Sequence, residues 1–295
     1  MANTGVSKRS SQTANFTCFS RGCATREREE QFRGPDTIAE KLFPLPAKVI
    51  LNVAPFRKLF IKKVMPPGIH EYVLARTKVM DAAYFSALQD GFDQIVLLGA
   101  GFDSRPIRFA EHNQGTKIFE LDVPTTQEAK LDVYQRRHVV VPEGVVFAPI
   151  DFDNQSTAEV LSKAGFKPGK KTLFLWEGVT MYITAKAVDD TLAFIRESSA
   201  MGSRVVFDYI YASVVRKENE HYGEEGGYEM VSRVGETWCF GLEEGTIESF
   251  LNERGFECAA HYTPQDLERL YMTRADGSLY GRINGTHCIV EAHVQ

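Results

Sequence analysis

The segment Gln94-Ile-Val-Leu-Leu-Gly-Ala-Gly-Phe-Asp103 determines how the rest of the chain is interpreted. Its first five residues form a short apolar run of the kind found in a buried strand. Glycine at positions 99 and 101 permits a tight turn and the close approach of a ligand, because glycine has no Cβ atom. The carboxylate of Asp103 can accept hydrogen bonds from a cationic group. Alone, the motif is equally consistent with a simple turn and with a nucleoside-binding loop.

Strand-like and helix-like runs alternate after this segment. Further β-rich runs occur at residues 117–121, 145–150, 172–176, 204–209, 256–261 and 287–293, and helix-like stretches occur at 125–137, 155–164, 184–199 and 245–254. This alternation predicts an α/β fold with a doubly wound sheet of seven strands that is mostly parallel. Only an irregular stretch separates the last two runs, so we expect an antiparallel pairing at that end.

The chain before residue 70 has a different pattern, which predicts a helical N-terminal extension or lid. We expect a charged, solvated helix within residues 17–40 and a second helix over 47–63. Residues 70–90 have helical spacing and lead into the catalytic part of the chain, so residues 1–69 and 70–295 are the predicted units. Residues 214–235 lack a clear period and are expected to form a long loop or a broken helix.

The composition is that of a globular protein, with 43% hydrophobic and 25% charged residues among 295. The net charge of −5 argues against general nucleic-acid binding. The sequence contains neither a signal-peptide pattern nor an apolar run of the ~20 residues that would cross a bilayer, so we expect a cytoplasmic protein. Histidine spacing predicts no metal site. Membrane contact is not expected, although the basic stretch 56–63 is also compatible with a membrane or an acidic partner.

Acidic residues follow each of the first four predicted strands. Asp103 follows the first strand and Glu120 lies near the end of the second, about 20 residues beyond the glycines, where a carboxylate can accept both hydroxyls of a ribose. Asp151 follows the third strand, and Phe152 beside it could pack on an adenine ring. Glu177 follows the fourth strand. Because ligands bind at the carboxyl ends of parallel strands, these side chains are predicted to surround one site.

Several of these segments together resemble a known family. They are Arg76-Thr77 with Asp81, Gln94–Arg105, Phe119-Glu-Leu-Asp-Val-Pro124 and Trp176-Glu-Gly-Val-Thr-Met-Tyr182. With Ser11–Ala14, Arg21 and Gly235-Glu-Thr-Trp-Cys-Phe-Gly241, they resemble the leucine carboxyl methyltransferase family. The resemblance is closest to its bacterial and fungal members and extends over residues 11 to 293.

The resemblance implies a class I (Rossmann-like) methyltransferase fold and S-adenosyl-L-methionine as cofactor. The cofactor-binding residues that it implies, together with those expected from the strand ends, are Arg76 at the carboxylate, Glu177 near the amino group, Gly99, Ala100, Gly101 and Asp103 beside the methionine part, Glu120 at the ribose, and Asp151 and Phe152 at the adenine. Arg76 enters this set from the resemblance alone, since its position in a helix would otherwise indicate a solvated arginine.

The resemblance also implies an O-methyltransferase whose acceptor is a carboxylate or hydroxyl of a small molecule or peptide. Tyr182, Asp208 and Tyr209 are the candidate catalytic groups because they lie at the ends of the fourth and fifth strands. A carboxylate acceptor needs no general base, whereas a hydroxyl does. The lysine-containing motif of the protein-phosphatase-specific members has no match here, which favours a small-molecule or peptide acceptor over a phosphatase tail. Carboxyl methylation of a protein C-terminus is the alternative.

Two other functional classes also use this kind of turn. An NAD-dependent oxidoreductase would have a third glycine at position 104, where serine stands. A non-catalytic cofactor-binding module would be expected to lose the acids at the strand ends, and all four are present. Methyl transfer is therefore favoured, while the identity of the acceptor and the oligomeric state do not follow from the sequence.

Overall fold

The computed structural model describes residues 12–151, 154–233 and 235–295. These residues form one sheet of seven strands, with the bounds β1 Gln94–Leu98, β2 Lys117–Asp122, β3 Val145–Pro149, β4 Thr172–Trp176, β5 Arg204–Ile210, β6 Phe256–Tyr262 and β7 His287–Val294. The strand order is β3-β2-β1-β4-β5-β7-β6, and β7 runs antiparallel to both of its neighbours. The predicted seven-stranded sheet with an antiparallel end is confirmed.

Helices pack on both faces of the sheet and on its N-terminal side. Those before the sheet are α1 Gln12–Ala24, α2 Leu45–Asn52, α3 Ala54–Val64 and α4 Ile69–Gln89. Those between β1 and β7 along the chain are α5 Arg105–Arg108, α6 Pro124–Arg136, α7 Thr157–Lys163, α8 Ala185–Ser198, α9 Ala212–Val215, α10 Glu224–Arg233, α11 Ile247–Asn252 and α12 Pro264–Tyr271. Alternation of these helices with parallel strands gives the doubly wound arrangement that the sequence predicts.

The two central strands are buried along their whole length, as expected for parallel strands that are covered on both faces. Their side chains alternate between two apolar clusters. Val96 and Phe174 belong to the cluster on one face, whereas Ile95 and Leu173 pack on the other face with the long helix α4. The sheet therefore separates two cores, and α4 is held against it by a largely buried surface.

The direction in which the sheet is built reverses between β1 and β4, because β2 and β3 follow on one side and β5 on the other. Strand β1 runs parallel to both of its neighbours, β2 and β4. Parallel strands bring their carboxyl ends to one edge, and a crevice opens where the chain leaves in opposite directions from two adjacent strands. This strand order is that of the class I methyltransferase fold, so the expected fold is confirmed. The crevice lies beside the Gly-Ala-Gly turn.

The prediction of a solvated helix within residues 17–40 was wrong in its position. Helix α1 ends at Ala24, and the charged run from Arg26 to Glu30 lies in turns after it. The chain then folds back, because the backbone N–H of Gly34 donates to the carbonyl of Ala24 over 2.8 Å. Helix α1 is instead half buried, with Cys18 and Cys23 inaccessible to solvent.

Residues 214–235 contain more helix than the sequence pattern indicates. The segment includes α10, which was difficult to predict because two glycines, Gly226 and Gly227, interrupt its interior. A Cβ atom on Gly227 would lie 2.9 Å from the ring of Trp238, so glycine permits close packing here. The segment thus consists of the end of α9, a stretch of turns and the continuous helix α10.

Candidate active site

A cavity opens at the carboxyl ends of β1 and β4. The turn after β1 forms one side of it, together with α5 and the end of β2. Residues of α1, α10 and the segment 236–238 line another side, and the Thr180–Tyr182 turn closes it from the β4 end. The predicted crevice and the cavity therefore coincide.

The turn after β1 has the backbone geometry that only glycine adopts easily. Gly99 has φ +69° and Gly101 has φ +47°. A Cβ atom on Gly99 would lie 2.5 Å from Cγ2 of Val179, and one on Gly101 would lie 3.2 Å from Cβ of Ala14. Both glycines and Ala100 line the cavity, so the backbone itself forms the surface that a ligand would contact.

Asp122 is the acid that closes this turn, and the sequence prediction did not select it. One carboxylate oxygen accepts a hydrogen bond from the Gly101 N–H, and the other accepts one from the Val123 N–H over 2.7 Å. Burial raises the pKa of Asp122, and the two backbone donors partly offset that effect. A carboxylate offers about four acceptor positions, so two are left toward the cavity that Asp122 lines.

Glu120 occupies a different position from the one that its spacing suggested. It lies two residues before Asp122 on β2, about 7 Å deeper in the sheet, and it does not line the cavity. Its carboxylate accepts a hydrogen bond from Nζ of Lys130 on α6, and both side chains are fully buried. Burial raises the pKa of Glu120 to about 7, although Lys130 opposes that shift. The ribose role assigned to Glu120 stays a prediction.

Arg76 lies on α4 and reaches the site through two carboxylates. Its Nε lies 3.0 Å from Oε1 of Glu177, and its Nη1 donates to Asp208 over 2.7 Å. Arg105 of α5 contacts the other oxygen of Glu177 at 2.8 Å and also pairs with Asp103. Burial alone would raise the pKa of Glu177, but these guanidinium groups hold it at about 2. Arg76, Glu177, Arg105 and Asp103 therefore form one connected ionic network at the cavity, while the cofactor roles of Arg76, Asp103 and Glu177 stay predictions.

The same ionic network extends to the N-terminal helix. Arg108 pairs with Asp81 of α4 at 2.6 Å, and Arg21 of α1 pairs with Asp36 at 2.8 Å and donates to the carbonyl of Phe102. Ser104 links the two parts, since its hydroxyl donates to Asp36 over 2.6 Å. In total, four arginines face five carboxyl groups in the network. The excess of carboxylates suits a ligand that carries positive charge.

The three candidate catalytic residues have different surroundings. Tyr182 lines the cavity. Asp208 is fully buried behind it and accepts hydrogen bonds from Tyr72, Arg76 and the Gly178 N–H. The hydroxyl of Tyr209 lies 2.9 Å from Nε2 of His261, away from the cavity. The catalytic assignments of all three stay predictions, but only Tyr182 is placed to contact an acceptor.

The side of the cavity beside Tyr182 contains three residues that the site prediction omitted. The hydroxyl of Thr13 donates to Oε2 of Glu236 over 2.6 Å, and Trp238 lies next to them. The Cys239 N–H donates to the Met181 carbonyl over 2.8 Å, which holds the segment carrying Glu236 against the β4 turn. The Gly235–Gly241 motif was the available signal. We call Thr13, Tyr182, Glu236 and Trp238 the acceptor-side group.

Polar atoms of the acceptor-side group are left available to a ligand. The indole N–H of Trp238 is buried and interacts with the Tyr182 hydroxyl, but it makes no hydrogen bond of good geometry with any described residue. Burial raises the pKa of the Glu236 carboxyl, while the Thr13 hydroxyl opposes the rise. Burial also raises the pKa of the Tyr182 phenol. One donor, one acceptor and one neutral phenol thus line this part of the cavity.

Asp151 and Phe152 are the two residues expected at the adenine of the cofactor. Asp151 follows β3 and accepts a hydrogen bond from the Asn154 side chain over 2.8 Å, but it does not line the cavity. Phe152 lies outside the described residues. Both assignments stay predictions.

The site fits S-adenosylmethionine by its shape and by its chemistry. Because positions 99 and 101 carry no side chains, which would crowd the turn, the backbone there is open to a ligand. Arg76 can face the cofactor carboxylate, Glu177 its ammonium group, and Asp122 a pair of hydroxyls. Gly99 and Gly101 follow β1, Asp122 ends β2 and Glu177 follows β4, so these residues lie at the carboxyl ends of three strands.

Comparison with known proteins agrees with this geometry. A family model described as leucine carboxyl methyltransferase matches residues 14–196, which include the turn after β1 and Glu177. The Bacillus subtilis protein "Putative S-adenosyl-L-methionine-dependent methyltransferase YktD" is 27% identical over 288 residues, 92% of this chain and 94% of that protein. A Mycolicibacterium smegmatis protein with the same kind of name is 33% identical and covers 72% of this chain and 70% of its own length.

A likeness to a solved structure concerns the fold alone. The structure of "a possible exported protein from Bordetella parapertussis" superposes with a TM-score of 0.50 at 11% identity, covering 96% of this chain and 94% of that one. The family match, in contrast, spans more than half of the chain. The chain therefore belongs to the leucine carboxyl methyltransferase family and is an S-adenosylmethionine-dependent methyltransferase.

Proposed function

We propose that the protein methylates a hydroxyl oxygen of an apolar small molecule and that Glu236 accepts the hydroxyl proton. The observation that carries this proposal is the acid in the acceptor-side group. Glu236 is held by Thr13 in a part of the cavity whose other walls include Phe16, Met230 and Trp238. A base among apolar walls suits a neutral, largely apolar acceptor.

A carboxylate acceptor fits this side less well. Such a substrate needs a cation beside it, and the arginines that line the cavity lie in the ionic network around Glu177, Asp103 and Asp81. The acceptor-side group itself contains an acid and no cation. A second carboxylate near Glu236 would raise the energy of both charges. This favours a hydroxyl over the C-terminal carboxylate of a peptide or protein.

The reaction requires alignment and one proton transfer. When bound, the cofactor would supply a methyl group on a sulfonium, and a nucleophile in line with the carbon–sulfur bond would take the methyl group and release the thioether. As the acceptor oxygen attacks, its proton passes to the Glu236 carboxylate. Tyr182 remains a neutral phenol because burial raises its pKa, so it is a donor rather than the base. The Trp238 N–H can hold a second polar atom of the acceptor.

For the cofactor, we propose that Asp122 takes the ribose hydroxyls and that Arg76 takes the carboxylate. Asp122 lies at the mouth of the turn with two acceptor positions left, whereas Glu120 is deeper and bound by Lys130. Glu177 remains the candidate for the cofactor amino group. Asp208 then acts as a positioning residue, since it fixes the Arg76 guanidinium from behind.

The proposal is tested by methyl transfer from radiolabelled S-adenosylmethionine to a panel of phenols and alcohols beside short peptides with free C-termini. We expect hydroxyl compounds to be methylated. With such an acceptor, Glu236→Gln should lower kcat about a hundredfold or more while the affinity for the cofactor stays unchanged. Glu225→Gln, at an exposed glutamate on α10, is the control and should retain full activity.

Two results would contradict the proposal. Methylation of peptide carboxylates but of no hydroxyl compound would assign carboxyl methylation instead. An unchanged kcat in Glu236→Gln with a hydroxyl acceptor would remove the proposed base.

A further inference from the structure

Helices α2 and α3 expose an unusual amount of apolar surface. Six of the twelve large hydrophobic residues that are exposed in the described chain lie within residues 45–64. They are Leu45, Val49, Val53, Phe56, Leu59 and Val64, with Leu45 74% and Leu59 59% exposed. A concentration of this kind on two consecutive helices marks an interaction surface. We call these six residues the α2–α3 face.

The charged side chains on α2 and α3 themselves are all of one sign. Residues 41–70 contain six lysines and arginines and no acid, although the whole chain carries a net charge of −5. Lys58, Lys62 and Lys63 of α3 are exposed, and no carboxylate among the described residues pairs with them. Arg57 is different, because it is buried and donates to the Leu51 carbonyl. The exposed cations are therefore available to a partner.

The opposite side of the two helices is anchored in the protein. Leu51 of α2 is fully buried, and the Phe60 ring of α3 packs against Phe19 of α1 with centroids 4.8 Å apart. Phe16, one turn earlier on α1, joins the same cluster and lines the cavity. The exposed side is thus a fixed surface next to the active site.

We propose that the α2–α3 face docks on the surface of an anionic lipid bilayer. Its apolar side chains would enter the boundary between headgroups and acyl chains, and its lysines would contact anionic headgroups. Side chains that are more than half exposed protrude from a surface, which suits a deformable lipid interface better than a preformed groove on a protein. A second copy of the chain would bring two cationic faces together and is disfavoured.

Sedimentation with lipid vesicles tests the charge requirement. The full-length protein should bind vesicles of phosphatidylcholine and phosphatidylglycerol at three to one, and binding should weaken as salt is raised. Vesicles of phosphatidylcholine alone should retain little protein. The variant Lys58→Glu/Lys62→Glu/Lys63→Glu should lose binding by about tenfold or more. Its control, Lys117→Glu/Lys163→Glu/Lys167→Glu, changes the net charge equally at exposed lysines elsewhere and should bind like the wild type.

A second pair of variants tests the apolar requirement. Phe56→Ser/Leu59→Ser should reduce binding to the anionic vesicles by about tenfold or more, whereas Val140→Ser/Met201→Ser should not. The second variant removes side chains that are 82% and 81% exposed outside the face. Thermal unfolding of each variant verifies that the fold is retained.

Several outcomes would overturn the proposal. One is no binding of the wild type to anionic vesicles at low salt, and another is equal loss in a variant and its control. Binding to polyglutamate but not to vesicles would assign the face to an acidic protein. A dimer that Phe56→Ser/Leu59→Ser dissociates, without vesicle binding, would assign it to a second copy.

Discussion

His287 is a buried histidine at the wall of the cavity. The centroid of its ring lies 4.5 Å from that of Tyr72, whose hydroxyl donates a hydrogen bond to Asp208. Burial lowers the pKa of His287 to about 4, although Asp208 partly opposes the shift. The imidazole is therefore neutral in the folded protein near neutral pH.

A pH dependence of stability follows from this shift. The folded pKa lies below the value of about 6.5 expected in the unfolded chain, so the contribution to stability is complete above pH 6.5 and is lost as the pH falls toward 4. This group alone should lower the free energy of unfolding by about 3 kcal/mol over that window. Urea denaturation at several pH values should show a flatter profile for His287→Gln than for the wild type.

The control for this prediction is His112→Gln, at an exposed histidine. It should leave the pH profile of the wild type unchanged. Identical profiles for the wild type and His287→Gln would refute the assigned cause.

At the residue scale, sequence spacing identified the strand that borders the cavity but not which of its two acids lines that cavity. Glu120 and Asp122 both lie on β2, and the usual distance from the glycines favoured Glu120. Glu120 is not at the cavity surface, and Lys130, nearly two turns into α6, binds its carboxylate beneath that surface. No pattern in the sequence indicates which of two acids separated by one residue is closer to the cavity.

At the scale of elements, the turn after β1 depends on both its backbone conformation and its crowding. Gly99 and Gly91 have similar positive φ angles, +69° and +65°. A Cβ atom on Gly99 would meet Val179 at 2.5 Å, whereas one on Gly91 would meet nothing within 4 Å. The two positions therefore separate backbone strain from steric conflict.

We expect Gly91→Ala to cost about 1 kcal/mol of stability and Gly99→Ala about 2 to 4 kcal/mol. Gly99→Ala should also weaken cofactor binding, because Val179 or the turn must move. Denaturant unfolding and calorimetric titration with S-adenosylmethionine measure both effects. Equal stability costs, with unchanged cofactor binding in Gly99→Ala, would show that the contact with Val179 is unimportant.

The elements of the sheet were predictable because their apolar runs are short, buried and separated by helical patterns. The position of the N-terminal helix was not predictable in the same way. The charged run after Cys23 resembles a solvated helix, but the helix that forms is the partly buried segment before it, Gln12–Ala24. Three members of the acceptor-side group, Thr13, Glu236 and Trp238, were also missed, whereas Tyr182 was predicted. Thr13 and Glu236 are 223 positions apart, and only the folded chain brings them together.

At the scale of the whole molecule, composition predicted the class of protein but not the distribution of its charges. The net charge of −5 coexists with a basic, apolar surface on α2 and α3. The fold was predictable from the order of strand-like and helix-like runs. The basic, apolar surface was not, because it depends on which side chains are exposed in the folded chain. Among the described residues, no helix is long and apolar enough to span a membrane.

The central claim is that the cofactor lies at the carboxyl ends of β1 and β2, with Asp122 at its ribose. Calorimetric titration of S-adenosylmethionine into the wild type, Asp122→Asn and Glu120→Gln tests it most directly. We predict binding to the wild type, affinity lowered by about tenfold to a hundredfold in Asp122→Asn, and a smaller loss in Glu120→Gln. Full affinity in Asp122→Asn, with binding abolished in a folded Glu120→Gln, would contradict the account.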